Sequence, residues 1–99
     1  MDVNTQDAYG TNLIIIAVGN QNADILKFLI EKEAFLDQIN EYDDFALTIA
    51  IEQNNIELAK MLIEAGTDLG VFDYLKFAKK HIKDEEFLKY LEEKIEGEE

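Results

Sequence analysis

Residues 7–39 read DAYGTNLIIIAVGNQNADILKFLIEKEAFLDQI, and residues 40–72 read NEYDDFALTIAIEQNNIELAKMLIEAGTDLGVF. Aligned position by position, these two stretches share nine identical residues, which establishes an internal repeat of 33 residues. The identical pairs are Tyr9/Tyr42, Ile16/Ile49, Ala17/Ala50, Asn22/Asn55, Lys27/Lys60, Leu29/Leu62, Ile30/Ile63, Glu31/Glu64 and Leu36/Leu69.

Each repeat contains two short amphipathic segments. Ile14, Ala17 and Val18 have the i, i+3, i+4 spacing of a helix, as do Leu47, Ala50 and Ile51. Second stripes follow at Ile25, Leu26, Leu29 and Ile30, and at Leu58, Ala59, Leu62 and Ile63. Residues 19–22 and 53–55 separate the segments with glycine, asparagine and glutamine, which favour turns. Helices this short depend on stacking against the next repeat for their stability.

A third, shorter unit follows residue 72. Residues 73–81 and 84–95 predict two more helices, with Leu75, Ala78, Phe87, Leu88 and Leu91 facing inward. Ala78 follows Ala50 by 28 positions, so this unit has lost about five residues relative to the 33-residue repeat. Because its last segment is strongly charged, it is typical of a capping unit with a polar outer face.

The composition of the 99-residue chain excludes several classes of function. Its 22 acidic and nine basic residues, all lysine, give a formal charge of −13, and the pI is near 4.3. This balance argues against binding nucleic acid or anionic membranes. There is no cysteine for a disulfide or a thiolate zinc site. The polar start and a longest apolar run of six residues predict a cytoplasmic protein without a membrane span.

The repeat resembles the ankyrin repeat. Residues 7–10 (DAYG) resemble the family's turn, Ile14 and Ala17 its first helix, and residues 25–30 and 58–63 its second helix. Residues 2–4 and 65–68 resemble the linker that follows the second helix. The resemblance implies an all-α solenoid with short hairpin fingers, in one domain over residues 1–99. Repeat 1 would span about 4–36, repeat 2 about 37–69 and the shortened cap about 70–96.

Two departures from the family pattern stand out. The family's T-P-L-H box is missing both its proline and its histidine, and Asn12 is predicted to cap the first helix instead. Asp43 occupies the position of the turn glycine and is expected in a left-handed conformation.

The amino-terminal side of repeat 1 is unusually apolar. No helix pair precedes residues 13–16 (LIII), which lie where a capping unit would be polar. Either the fold buries these side chains, or they form an exposed patch for self-association or partner binding, or further repeats precede them.

Catalysis has little support in the sequence. His81 lies at the end of a lysine-rich helix, where a solvated or capping role suits it better than that of a general base. No phosphate-binding loop, metal-binding motif or nucleophile with a partnered base is present, so we predict no enzyme activity, no cofactor and no metal.

The resemblance implies protein binding through the finger tips and the concave face. The candidate residues are Tyr9, Thr11, Asn20, Glu41, Tyr42, Asp44, Glu52, Gln53 and Tyr74. Tyr9 and Tyr42 recur at equivalent tips, with Phe72 or Tyr74 continuing the row. Tyrosine is common at interface hot spots. The alternative interpretation is that these tyrosines pack against neighbouring fingers.

The charge is unevenly distributed along the repeats. Residues 1–44 carry −7, residues 45–83 are neutral and residues 84–99 carry −6. An acidic finger surface favours a basic protein partner, although solubility alone also accounts for the charge. We therefore predict a non-catalytic binding module of the inhibitor or immunity type. The rival hypothesis is an assembly protein, monomeric or weakly dimeric, that associates through residues 14–16. A lack of arginine with abundant isoleucine, asparagine and lysine is typical of an AT-rich bacterial genome.

Overall fold

The computed structural model describes residues 6–8 and 10–97, and within them the fold is all-α as predicted. Six helices form three consecutive pairs. They are α1 (Leu13–Gly19), α2 (Ala23–Glu31), α3 (Ala46–Glu52), α4 (Ile56–Ala65), α5 (Tyr74–His81) and α6 (Glu85–Gly97). An isolated antiparallel bridge joins Gln6 to Asn12 at the base of the first finger. None of the helices in the described ranges is long and apolar enough to span a bilayer.

Asparagine side chains start three of the helices. The Asn12 side chain accepts a hydrogen bond from the Ile15 amide at 3.0 Å, which confirms the predicted cap. Asn22 and Asn55, which are equivalent in the repeat, each accept a bond at 3.1 Å from the amide three residues later. The caps satisfy amides that the first turn of a helix leaves unpaired. At the start of α1, Asn12 does this where the family's T-P-L-H box is altered.

The turns reproduce the 33-residue period in the backbone itself. Gln21 and Asn54 both adopt positive φ, 54° and 56°, between the two helices of a pair. Gly10 and Asp43 do so at the finger turns, at 77° and 61°. Aspartate tolerates this left-handed conformation better than most residues, so the prediction for Asp43 is confirmed.

The first helices of the three units stack in the order α1, α3, α5, and α2 packs against α4. A row of alanines marks the contact between the first helices, because Ala17, Ala50 and Ala78 are all buried. Small side chains allow helix axes to approach closely, so the repeated alanine explains how such short helices share one continuous core.

Hydrogen bonds also join repeat 1 to repeat 2. The side-chain nitrogen of Gln53 (Nε2) donates to the Gly19 carbonyl at 3.1 Å. The Asn55 side chain donates to the Gln21 side-chain oxygen, also at 3.1 Å. Both bonds link turns one repeat apart, so they fix the register in which the repeats stack.

The two ends of the stack differ in chemistry. At the carboxyl end, α6 buries Phe87 and Leu91 and exposes most of its acidic and lysine side chains, as a capping helix does. At the amino end, Ile14 and Ile15 are buried but Ile16 is 42% exposed. The fold therefore covers only part of the apolar run, and one isoleucine remains at the surface.

One residue of the second apolar stripe in repeat 1 lies at the surface. The Ile25 side chain is 48% exposed, and no helix within residues 6–8 and 10–97 covers its side of α2. Its equivalent in repeat 2, Leu58, is buried because α4 has α2 beside it. The two repeats thus share one apolar pattern, and the neighbouring helix decides which of the two side chains is buried.

Candidate protein-binding surface

The two fingers have the same closed backbone. In the first finger, Asp7 and Thr11 are joined by a backbone bond of 3.0 Å, and the Asp7 carboxylate accepts a bond from the Thr11 amide. In the second, the Asn40 amide donates to the Asp44 carbonyl at 3.3 Å. The Asn40 side-chain oxygen also accepts bonds from the amides of Tyr42 and Asp44 at 2.9 and 3.0 Å. These bonds hold each finger in one conformation.

The fingers are also fixed to each other. The Asn40 side-chain nitrogen donates to the Thr11 hydroxyl at 3.3 Å, and Asn40 is buried. Gly10 lies against the same residue, since a β-carbon placed on it would be 3.5 Å from the Asn40 α-carbon. Asn40 therefore organises its own finger and contacts the preceding one, a role that the sequence did not suggest.

Replacement of Asn40 by alanine is expected to lower the free energy of unfolding by about 2 kcal/mol, because amides that its side chain now satisfies lose their acceptor. Asn40→Asp, which imitates Asp7 of the first finger, keeps the acceptor and is expected to recover most of the loss. Urea denaturation measures both variants. A stability of Asn40→Ala within about 0.5 kcal/mol of the wild type would contradict the role assigned to Asn40.

The exposed face of the fingers combines apolar and acidic side chains. Ile39 is 43% exposed, Tyr42 is 63% exposed and Phe72, one repeat after Ile39, is 38% exposed. Glu41, beside Tyr42, is exposed, and Asp44 is half-buried. We call these five residues the finger row. Phe72 was one of the two residues predicted to continue the tyrosine row, and it lies 33 residues after Ile39 at the equivalent position of the repeat.

The remaining predicted residues are spread more widely. Asn20 and Glu52 are exposed at the ends of α1 and α3, and Thr11 is half-buried in the finger contact. The Gln53 side chain is half-buried and bonded to the preceding repeat, so its amide nitrogen is occupied. Tyr9 lies outside the described residues, as does the predicted linker at residues 2–4.

The prediction that Tyr74 lies on the binding surface is wrong. Its side chain is fully buried, and its ring packs edge-on against Phe45 and Phe72, with centroids 6.1 and 5.2 Å away. The 28-residue offset between Ala50 and Ala78 aligns Tyr74 with Ala46 at the start of a helix, not with a finger tip. With that offset, Tyr74 is equivalent to Ala46, which is buried, so a core position for Tyr74 agrees with the sequence.

The Tyr74 hydroxyl makes no hydrogen bond within the part of the chain that the structure describes. Burial raises the pKa of this phenol, and the carboxylates of Asp37 and Asp68 raise it further. The folded protein therefore holds the Tyr74 proton over a pH range, starting near 10, in which the unfolded chain releases it. In that range the proton is bound more tightly by the folded state, so rising pH lowers stability.

Tyr74→Phe is expected to be as stable as the wild type or more so at neutral pH, because it removes a buried hydroxyl that has no partner. Above about pH 10, the unfolding free energy of Tyr74→Phe relative to that of the wild type is expected to grow by about 1.4 kcal/mol per pH unit. Urea denaturation of both proteins at successive pH values from about 7 to 11 measures the difference. A difference in unfolding free energy between the two proteins that stays constant over this pH range would show that folding does not change the pKa of Tyr74.

A shallow hollow of about 290 Å³ beside the finger row was missed by sequence reasoning. Phe72 and Phe77 line it, with their rings 5.6 Å apart, together with Asp73 and with Lys76 and Lys80 of α5. The His81 ring packs against Phe77 at a centroid distance of 4.5 Å, with the two ring planes inclined by 46°. The surface thus changes from acidic at the second finger to basic on α5. Among the described residues no group of three histidine, aspartate or glutamate side chains is placed to hold a metal ion.

Comparison with known proteins agrees with this architecture. Residues 1–73 match the family model described as ankyrin repeats in three copies. A similar solved chain is found in the complex of Bd0816, a predatory endopeptidase from Bdellovibrio bacteriovorus, with the immunity protein Bd3460. That chain is 25% identical with a TM-score of 0.76, over 92% of this chain and 50% of that chain.

The present chain spans half the length of the similar solved chain, and no curated protein matches its sequence. The family match covers residues 1–73, which contain the first two of the observed helix pairs. Ankyrin repeats mediate interactions between proteins. The chain belongs to the ankyrin-repeat family, and its fold is a protein-binding one.

Proposed function

We propose that this chain is a non-catalytic inhibitor or immunity-type protein that binds a basic protein partner through the finger row. One observation carries the proposal: a fixed finger presents a tyrosine that is 63% exposed between acidic side chains. The proposed role requires no cofactor, and the finger row combines exposed apolar side chains with the exposed carboxylate of Glu41.

The rigidity of the second finger favours binding. Because Asn40 fixes the amides of Tyr42 and Asp44, the finger loses little conformational entropy when a partner covers it. Tyr42 offers a large area to bury and a hydroxyl that can pair at the edge of the interface. Ile39 and Phe72 extend the apolar part of the contact on either side.

The charge of the fingers favours a basic partner. Residues 1–44 carry −7, and Glu41, Asp43 and Asp44 surround the exposed tyrosine. Such a surface accelerates association with a positively charged protein, and added salt weakens the effect. The matched complex, which joins an endopeptidase to an immunity protein, supports an inhibitory role with an enzyme as the partner.

Affinity capture from a lysate of the source organism tests the proposal. The baits are the wild type, Glu41→Lys/Asp44→Lys in the finger row, and Glu92→Lys/Glu93→Lys on the exposed side of α6. Both double variants change the net charge by the same amount, so they separate a local effect from a general one. At about 50 mM salt we expect a basic protein on the wild type and the α6 variant, absent from the finger variant and released at about 500 mM salt.

The partner identified by mass spectrometry is then assayed as a purified protein. If it is an enzyme, stoichiometric addition of the wild-type chain is expected to abolish its activity. Equal capture by all three baits would contradict the proposed surface. A captured enzyme whose activity does not change would contradict the inhibitory role while leaving the surface in place.

A further inference from the structure

The amino-terminal end of the stack carries an apolar groove of about 290 Å³, distant in sequence from the finger row. Ile16, Ile25 and Phe28 on its walls are 42%, 48% and 44% exposed. We call the exposed surface formed by these three residues the end face. The groove is lined by Leu13, Ile16, Ala17, Asn20, Asn22, Ile25, Phe28 and Leu29.

The repeat shows what this surface is shaped to contact. One repeat later, the position of Ile25 is occupied by Leu58, which is 1% exposed, and the position of Phe28 by Met61, which is half-buried. Those side chains are covered because repeat 1 stacks on repeat 2. The end face thus has the chemistry of an internal stacking surface, but no helix pair within the described residues covers it.

The charges around the end face are arranged so that two copies of this surface complement each other. Helix α1 has no charged residue, although the chain as a whole carries −13. Asp24 of α2 and Lys32, the residue that caps this helix, lie four residues before and four residues after Phe28, so all three share one side of the helix. The Lys32 ammonium lies 5.6 Å from the centre of the Phe28 ring, which places it on the same side.

We propose that two copies of the chain associate through the end face about a two-fold axis near Phe28. The two α2 helices then run nearly antiparallel, and Asp24 of each copy lies opposite Lys32 of the other. A two-fold contact brings the same surface of both copies together, so it needs this kind of self-complementary pattern. A head-to-tail contact would press the end face against charged α6, which does not offer an apolar surface of this kind.

The dimer contact and partner binding are expected to respond to salt in opposite directions. Two chains of −13 repel each other as a whole, whereas the contact itself is mainly apolar. Added salt screens the repulsion between the copies, so dimerisation is expected to strengthen as salt increases. Binding of a basic partner to the finger row is expected to weaken under the same change. The two surfaces share no residue, so either proposal can fail while the other stands.

Sedimentation equilibrium on the purified chain tests the dimer. The wild type is expected to dimerise with a dissociation constant on the order of 10–100 μM at about 150 mM salt. Phe28→Asp is expected to weaken dimerisation at least about 100-fold, because it places a carboxylate at the axis. Since this side chain is exposed, the variant is expected to fold, and circular dichroism checks that it does. Tyr42→Ala, in the finger row, is the control that leaves the dimer unchanged.

Charge reversal tests the geometry. Asp24→Lys and Lys32→Glu each place like charges opposite one another and are expected to weaken the dimer about 10-fold. An equimolar mixture of the two single variants is expected to form the heterodimer in preference to either homodimer. The double variant Asp24→Lys/Lys32→Glu restores the pairing and is expected to dimerise within about threefold of the wild type.

Four results would overturn the proposal. A wild type that stays monomeric to about 500 μM shows that no such dimer forms. A dimer that persists in Phe28→Asp uses another surface. If the double reversal is as weak as the single ones, the helices do not meet in the proposed antiparallel arrangement. A monomer whose end face is instead needed to capture a foreign protein would also contradict the second copy as its occupant.

Discussion

Leu58→Ala is expected to lower the free energy of unfolding by about 3 kcal/mol. Leu58 is 1% exposed, in the helix α4 that packs against both α2 and α3. Truncation leaves a cavity where two repeats meet, and short helices have no other source of stability to offset it. Because domains of about 100 residues are only marginally stable, the variant is expected to have a clearly lower midpoint in urea.

Ile25→Ala is the matched control for this substitution. Ile25 occupies the same position one repeat earlier, but 48% of its surface is already exposed. At concentrations where the chain is monomeric, we expect its truncation to cost less than about 1 kcal/mol. Equal losses at the two positions would contradict the conclusion that stacking of repeat 1 on repeat 2, and not the helix pair alone, buries Leu58.

Tyr42→Ala is expected to weaken binding of the partner by about 30- to 100-fold, which is about 2–3 kcal/mol. Tyr42 is the most exposed of the large apolar side chains in the described residues, at 63%. Its finger is fixed by Asn40 through bonds to the backbone, so the substitution removes the side chain without releasing the loop. Most of the loss is expected in a faster dissociation rate.

Phe28→Ala is the control for Tyr42, because it removes an exposed aromatic ring from the other surface. Surface plasmon resonance with the captured partner, at concentrations that keep the chain monomeric, compares the two variants. We expect the affinity of Phe28→Ala to remain within about twofold of the wild type. A larger loss for Phe28→Ala than for Tyr42→Ala would move the partner site from the fingers to the end face.

The sequence was sufficient to predict the repeat, the helix pairs and the turns. The apolar spacing, the turn residues and the helix caps all recur with the 33-residue period. A sequence specifies a fold when such separate signals indicate the same structure. The predictions for Asn12 and Asp43 succeeded for the same reason, since each follows from the local chemistry of one residue.

The predictions that failed depended on which surfaces meet. Tyr74 resembles a finger residue by its aromatic type, but the shortened third unit moves it into the core. Ile25 belongs to an apolar stripe by its spacing, but no helix pair among the described residues covers that side of α2. Periodicity identifies the side of a helix that is apolar, but it does not say whether a neighbour covers that side.

The role of Asn40 was not accessible from sequence for a different reason. An asparagine in a turn-rich segment is ordinary, and its importance lies in bonds to Tyr42, Asp44 and Thr11 that only the folded arrangement reveals. The site residues proposed here therefore combine a family expectation with contacts seen in the structure.

Hydrogen–deuterium exchange of the chain, alone and saturated with its captured partner, tests most directly whether the fingers bind. The account predicts slower exchange of the amides at residues 39–44 and 71–73 in the complex, with α6 unchanged. Protection confined to α2 or α6, with the finger amides exchanging as in the free chain, would contradict it.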